Sequence, residues 1–163
     1  MNLRLVTSKE FETVYDILHE NALWLSLKNI IQWPLDWLQS KRQEIQESIE
    51  LGTYHAVDID NEIAAIVEIK SVPEALWGND NTPALYIHKL SIRRKYADKK
   101  LGREIINLIE AKAIQQGIKS LRLDCVAHND KLRQYYESCG FTLTTEVSSG
   151  DIILALYEYE IES

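Results

Sequence analysis

The stretch LSIRRKYADKKLG, from Leu90 to Gly102, has the residue types of an anion-binding loop. It joins a strand-like run to the start of an amphipathic helix and carries five lysines and arginines. Free N–H groups in a first helical turn and the positive end of the helix dipole favour a phosphate or pyrophosphate. Gly102 lets the backbone come close to such a ligand. The alternative is a solvated connection, which is what most strand-loop-helix segments with lysines are.

A second stretch, AHNDKLRQYYESCGF, predicts a short helix with Asn129 at or next to its N-cap. Tyr135 and Tyr136 are adjacent, so their side chains point about 100° apart and only one need be in the core. A tyrosine hydroxyl that reaches a cavity can act as a general acid. The alternative is a capped amphipathic helix without chemistry.

The elements that position these stretches begin with a strand, two helices and a hairpin in the first half of the chain. Thr7 and Glu10 form a capping-box pattern, and Gly52 suits the end of the second helix. Asp60-Asn61 suits a tight hairpin turn. The predicted elements are a strand at 2–6, a helix from Thr7 past Leu25, a helix from Pro34 to Ile49, and strands at 53–59 and 62–72.

The second half alternates strands and helices, and the stretch 73–83 is a loop rich in turn-forming residues. The predicted elements are a strand at 84–92, a helix at 101–116 ended by Gly117, a strand at 120–126, a helix at 130–139 ended by Gly140, and a hairpin of 141–147 with 152–159. A βαβ-like centre between hairpins predicts a mixed α/β sheet.

Composition fits one globular domain over residues 1–163, with 45% hydrophobic and 26% charged residues. A net charge of −7 disfavours nonspecific nucleic-acid binding. The sequence has no signal peptide pattern and no spanning apolar run, so we expect a cytoplasmic protein without membrane contact. Cys125 and Cys139 lack metal-ligand or redox spacing, so we expect buried thiols and no metal.

In order and spacing, LSIRRKYADKKLG with its helix and then LRLDCVAHNDKLRQYYESCGF resemble the paired acetyl-CoA motifs of GNAT N-acetyltransferases. The family's loop motif is Arg or Gln, two residues, Gly, any residue, then Gly or Ala. The matching span here, 97–102, keeps only the last glycine, because Ala97 and Lys100 depart from the pattern. Asn129, Tyr136 and Gly140-Phe141 match the later motif.

The resemblance implies a GNAT-like α/β fold: a mixed, mostly antiparallel central sheet flanked by about four helices and splayed at the cofactor cleft. It also implies an enzyme that moves an acetyl group from acetyl-CoA, its cosubstrate, to a primary amine of a small molecule or peptide. The amine attacks directly in a ternary complex, and a possible homodimer is in keeping with the family.

Site residues follow from the resemblance position by position. A backbone N–H at or near Leu90 is expected to stabilise the oxyanion, and Tyr136 is expected to protonate the departing thiolate. The residues expected to bind the cofactor are Leu90, Ser91, Ile92, Ala97, Asp98, Lys99, Lys100, Leu101, Gly102, Arg103, Asn129 and Tyr136.

A protonated amine must lose a proton before it attacks, so a base is required. By strand alternation Tyr86, His88, Leu90 and Ile92 share one face, which makes His88 the first candidate. Glu68, on the neighbouring strand, is the second. An equally good reading of His88 is a hydrogen-bonded histidine on a half-buried strand.

Aromatic residues are the candidates for the acceptor pocket. Trp33 and Trp37 lie four residues apart where the family usually forms part of that pocket, and Tyr86 shares the face of His88. Paired aromatics are more often core residues. A noncatalytic acyl-CoA-binding module is the alternative function, because the loop departs from the family at Ala97 and Lys100.

Overall fold

A computed structural model of the chain describes residues 1–30, 33–97 and 100–162. These residues form two compact units, Met1–Ile69 with Lys89–Leu108, and Lys70–His88 with Ile109–Ser163. Each unit is therefore built from two separate stretches of the chain. The assignment of residues 1–163 to one domain stays a prediction.

The first half of the chain contains three strands and three helices. They are β1 (Arg4–Leu5), α1 (Phe11–Leu27), α2 (Leu35–Ser40), α3 (Arg42–Glu50), β2 (Tyr54–Ile59) and β3 (Glu62–Lys70). β2 pairs antiparallel with both β1 and β3. Asp60 and Asn61 turn the β2–β3 hairpin with φ of 53° and 65°, values that asparagine and aspartate tolerate best among residues with a side chain.

The predicted capping box is confirmed. The Glu10 carboxylate accepts a hydrogen bond from the Thr7 N–H at 2.8 Å, and the Thr7 side chain faces the Glu10 N–H in return. A single 3-10 turn, Ser8–Glu10, leads from this cap into α1. The local sequence therefore starts the helix at the predicted place.

The second predicted helix is wrong in one respect, because it is two helices. Lys41, with φ −98° and ψ 5°, separates α2 from α3. Its N–H donates to the Leu38 carbonyl at 3.0 Å, a tighter turn than that of an α-helix. The helical spacing of apolar residues continues across this turn, so the hydrophobic pattern did not reveal the break.

The second half of the chain contains four strands and two helices. They are β4 (Leu85–Ile92), α4 (Leu101–Gln115), β5 (Ser120–Val126), α5 (Asp130–Ser138), β6 (Thr142–Ser149) and β7 (Ile152–Glu160). β7 lies between β5 and β6 and is antiparallel to both. Gly117 and Gly140, with φ of 72° and 97°, follow the ends of α4 and α5 as predicted.

The predicted fold class, a mixed and mostly antiparallel α/β fold, is confirmed. The described residues form five α-helices where about four were expected, because the second predicted helix is divided. Parallel pairing of β4 with β5 covers two positions, Leu85 with Leu121 and Tyr86 with Arg122. β4 itself runs on to Ile92.

The hydrophobic core of the first unit lies between its helices and the face of β2 and β3. Its fully buried side chains include Ile17, Leu18, Leu38, Ile45 and Ile66. In the second unit, Leu121, Tyr157 and Ala155 are completely buried. Among the helices that the structure describes, none is long and apolar enough to cross a membrane.

Candidate functional site

The N-terminus of α4 has the features of the predicted phosphate site. Because the helix begins at Leu101, the N–H groups of Leu101, Gly102 and Arg103 have no acceptor within the helix. Leu101 and Gly102 are buried, whereas Lys100 and Arg103 are exposed. A ligand at this turn would therefore meet amides that the helix itself leaves unused, with cationic side chains beside them.

The residue before α4 has an unusual backbone. Lys100 has φ of 58°, in the left-handed region that glycine adopts most easily. In the family's loop motif, this position is glycine. Ala97, which precedes the gap, is extended with φ −62° and ψ 156°. The predicted ligands Asp98 and Lys99 lie outside the described residues.

A second left-handed residue, Lys89, interrupts β4 with φ of 52°. Its Nζ lies 3.2 Å from Oε1 of Glu68, whose side chain is 2% exposed. The other carboxylate oxygen of Glu68 accepts from the Thr53 hydroxyl at 3.1 Å. Lys89 interrupts the regular alternation of side chains along β4. Alternation therefore no longer supports the prediction that Leu90 lies on the same face of the strand as His88.

The peptide group after Lys89 is held by the next residue. The Ser91 hydroxyl donates to the Lys89 carbonyl at 3.1 Å, and Ser91 is buried. Leu90 and Ile92 are partly exposed on either side of Ser91. The segment predicted to bind the pantetheine therefore has one buried side chain between two accessible ones.

In the other unit, His88 is paired with a carboxylate. Its Nε2 lies 2.7 Å from Oε2 of Glu74, and the two side chains are 22% and 21% exposed. If Nε2 carries the proton and donates a hydrogen bond to Glu74, the lone pair of the neutral imidazole is on Nδ1. Nδ1 has no hydrogen-bond partner among the described residues. Glu74 was not among the predicted site residues, because it lies in an irregular loop whose contacts no periodicity predicts.

The α5 region matches the later motif closely. Asn129 is buried and caps α5, its side-chain oxygen accepting from the Leu132 N–H at 3.2 Å. Tyr136 is 8% exposed and packs edge-on against Phe141, with ring centroids 5.8 Å apart. Tyr135 is more exposed, at 36%. The predicted difference between the two tyrosines is therefore present in the fold.

The surroundings of the Tyr136 hydroxyl favour the neutral phenol. The hydroxyl makes no hydrogen bond to the described residues. Among these residues, the fully buried side-chain atoms without a partner are those of Tyr54 and Trp77, and the Tyr136 hydroxyl is not one of them. Burial, and then the nearby Cys125 thiol, raises the pKa of Tyr136 above that of an ordinary phenol. The side chain therefore stays protonated at neutral pH.

Cys125 has no nucleophilic character in this structure, whereas Cys139 is only partly buried, so the expectation that both thiols are buried is wrong for Cys139. Cys125 is completely buried, and burial raises the pKa of its thiol to about 11. A thiolate is the reactive form, so this residue is inert at neutral pH. Cys139 ends α5, and both thiols are free. Among the described residues, no group of three metal-ligating side chains comes together.

The structure places the three aromatic acceptor candidates differently. Trp33 is partly buried against the core of the first unit. Trp37 is 39% exposed, with Lys41 Nζ 5.6 Å from its ring centroid. Tyr86, in the other unit, is 1% exposed, and its hydroxyl accepts from Arg122 at 3.2 Å. Only Trp37 presents a large aromatic surface to solvent.

A buried arginine fastens the loop that carries Glu74. Arg122 donates to Asp80 at 2.5 Å and to Glu158 at 2.8 Å. Its guanidinium also lies 4.6 Å from the ring centroid of Trp77. Asp80 and Trp77 both belong to the loop between β3 and β4, so Arg122 holds this loop against β5 and β7.

A separate cavity of about 470 Å³ lies on the helical side of the first unit. It is lined by Tyr15, His19, Leu35, Asp36, Gln39 and Arg42. Arg42 is already engaged, since it donates to Glu12 at 2.8 Å and lies over the ring of Tyr15. None of the residues predicted from the sequence lines this cavity.

Comparison with known proteins agrees with the fold and the motifs. The model of the acetyltransferase (GNAT) family matches residues 13–141, so the chain belongs to that family. The uncharacterized N-acetyltransferase YesJ of Bacillus subtilis strain 168 is 29% identical over 158 residues, covering 94% of this chain and 86% of YesJ. With this membership, the chain is an acetyl-CoA-dependent acetyltransferase.

Two solved structures show the same fold. A GNAT-family acetyltransferase from Listeria monocytogenes 4b F2365 has a TM-score of 0.81 at 24% identity, covering 98% of this chain and 94% of the other. The PaiA N-acetyltransferase of Thermoplasma acidophilum, in complex with coenzyme A, has a TM-score of 0.74 at 16% identity, with 98% of each chain covered.

Proposed function

We propose that this protein transfers the acetyl group of acetyl-CoA to a primary amine of a small molecule or peptide, by direct attack in a ternary complex. The observation that carries the proposal is the His88–Glu74 pair, at 2.7 Å. A module that only binds acyl-CoA has no use for an oriented base, whereas transfer to an ammonium ion requires one.

His88 is the base in this scheme. Glu74 holds the ring by Nε2 and stabilises the imidazolium that forms when Nδ1 takes the proton of the amine. Glu68, the second candidate, is less suitable, because its ion pair with Lys89 would have to be given up on protonation. Its side chain is also almost fully buried, at 2% exposure.

Tyr136 is the acid. The amine nitrogen bonds to the thioester carbon, the carbonyl electrons move to oxygen, and collapse of this intermediate breaks the carbon–sulfur bond. The phenol then gives its proton to the sulfur, so that coenzyme A leaves as a thiol. A tyrosine hydroxyl is protonated at neutral pH, so the proton is present when the sulfur leaves.

The remaining parts bind acetyl-CoA and stabilise charge. The N–H groups of Leu101, Gly102 and Arg103 receive the pyrophosphate, with Lys100 adding positive charge. Leu90 and Ile92 bind the pantetheine by their backbone, and the Leu90 N–H faces the developing oxyanion. Asn129 contributes by capping α5 and so holding Tyr136 in place.

Trp37 is the best placed of the acceptor candidates, because its ring is exposed and already accommodates the ammonium of Lys41. An aromatic face of this kind attracts a cationic amine. Trp33 and Tyr86 have structural roles instead, since Trp33 packs against the core of the first unit and Tyr86 is itself buried in the second.

A thiol-release assay with acetyl-CoA and a panel of primary amines tests the proposal, run beside calorimetric binding of coenzyme A. We expect binding of coenzyme A and turnover on at least one amine. Binding without turnover on any amine would instead support the acyl-CoA-binding module, which the departures from the family's loop motif at Ala97 and Lys100 suggest. Absence of binding would refute both functions.

A further inference from the structure

The backbone N–H of Leu90 belongs to a peptide group whose orientation three neighbouring side chains control. This peptide joins Lys89 to Leu90, and it is trans, so its N–H points opposite to the Lys89 carbonyl. Whatever fixes that carbonyl therefore fixes the direction of the N–H. Two contacts restrain this peptide group, one made by Ser91 and the other by Lys89 together with Glu68.

The first acts on the carbonyl itself. The Ser91 hydroxyl donates to the Lys89 oxygen at 3.1 Å, and Ser91 is only 2% exposed, so water does not compete freely for the bond. Without that hydroxyl, rotation of the peptide plane would no longer cost a buried hydrogen bond.

The second acts on the residue before the peptide. Lys89 has φ of 52°, a conformation that a residue with a side chain adopts at a cost of roughly 1 kcal/mol or more. Its ammonium is anchored to Glu68, which is fixed in turn by the Thr53 hydroxyl at 3.1 Å. Glu68 is buried and belongs to β3, so the anchor lies in the sheet and not in a loop.

We propose that Ser91, Lys89 and Glu68 are positioning residues that aim the Leu90 N–H at the thioester oxygen of acetyl-CoA. The inference rests on the proposed function and deepens it. It gives Glu68 a task other than that of a base. It also gives a role to the ion pair between buried Glu68 and Lys89, whose φ is positive.

The test combines kinetics with isotope-edited infrared spectroscopy of bound acetyl-CoA carrying ¹³C at the thioester carbonyl. A hydrogen bond to that oxygen polarises the bond and lowers its stretching frequency. We expect a lowered frequency in the wild-type protein and a frequency closer to that of free acetyl-CoA in Ser91→Ala. We also expect kcat to fall about 10-fold, with a KM for acetyl-CoA within about twofold, since loss of an oxyanion donor itself costs about 100-fold or more.

Ser120→Ala is the matched control. Ser120 is a buried serine, 3% exposed, whose hydroxyl donates to Glu158 at 2.7 Å and not to β4. Ser120→Ala should leave both the stretching frequency of the thioester carbonyl and kcat unchanged. If Ser91→Ala remains folded and behaves like Ser120→Ala in both measurements, the inference is wrong.

Glu68→Gln separates an anchor from a base. As an anchor, its loss should move the carbonyl frequency and reduce kcat about as much as Lys89→Ala does, and the double variant should be no worse than either one. A large loss of kcat with an unchanged frequency would make Glu68 the base and overturn its positioning role. If the wild-type protein acetylates no amine, the proposed function itself has failed, which is a separate result.

Discussion

Glu74 Oε2 lies 2.7 Å from His88 Nε2, and the pair joins an irregular loop to the central strand β4. If His88 is the base, His88→Gln should lower kcat by about 100-fold or more, because general base catalysis is worth that much. The variant keeps a side chain of similar length. Steady-state rates with saturating acetyl-CoA measure the effect.

Glu74→Gln should lower kcat less than His88→Gln does, by about 10-fold, because it removes the partner and not the base. The double variant should be no slower than His88→Gln alone, since Glu74 acts only through His88. Additive losses in the double variant would show that Glu74 has an independent role.

Tyr136→Phe should lower kcat by roughly 10- to 1,000-fold with little change in acetyl-CoA affinity, since it removes the hydroxyl and keeps the ring against Phe141. Tyr135→Phe is the control, because Tyr135 is partly exposed and should retain activity. The reverse pattern would mean that the wrong tyrosine has been assigned, and two fully active variants would mean that the thiolate leaves without an acid from α5.

Lys100→Gly and Lys100→Ala separate backbone strain from charge at the start of α4. Both variants lose the ammonium, so the KM for acetyl-CoA should depend less on salt in each. Only glycine relieves the positive φ of 58°, so Lys100→Gly should be more stable than Lys100→Ala by about 1 kcal/mol. Chemical denaturation measures that difference, and equal stabilities would show that this φ is not strained in solution.

Glu10→Gln should lower the free energy of unfolding by about 1 kcal/mol at neutral pH, because the carboxylate closes the cap before α1. The two hydrogen bonds from Arg4, and then the Thr7 N–H, lower the pKa of Glu10 from 4.5 to about 2. This contribution is therefore complete above the unfolded value of 4.5 and is lost as the pH falls towards 2.

The difference between wild type and Glu10→Gln should accordingly shrink between those two values. Glu12→Gln is the control on the same helix, since the Glu12 side chain is 70% exposed and its pair with Arg42 contributes little. If the difference in the free energy of unfolding stays constant from neutral pH to pH about 2, protonation of Glu10 does not weaken the cap.

Most elements of the fold were predictable because local rules and tertiary packing agree. The glycines after α4 and α5 have the positive φ that a helix end prefers, and Asp60-Asn61 makes the predicted turn. The break at Lys41 was missed because the apolar spacing continues across it. The insertion of β7 between β5 and β6 was also beyond prediction, since strand order depends on nonlocal pairing.

The candidate site was predictable where a motif is contiguous and unpredictable where it is assembled by a loop. Asn129 caps α5 as its position before the helix indicates. Glu74 and Arg122 were not anticipated, because their partners lie 14 and 42 residues away in sequence. The left-handed conformation of Lys89 had no signal either, since lysine is not a residue that favours it.

The central claim is that the amine attacks acetyl-CoA directly while both are bound. Initial rates measured over a grid of acetyl-CoA and acceptor concentrations, with the fastest amine of the panel, test it most directly. Direct transfer in a ternary complex predicts double-reciprocal lines that intersect. Parallel lines, the ping-pong pattern of a covalent acyl-enzyme, would contradict the account and return attention to the cysteines.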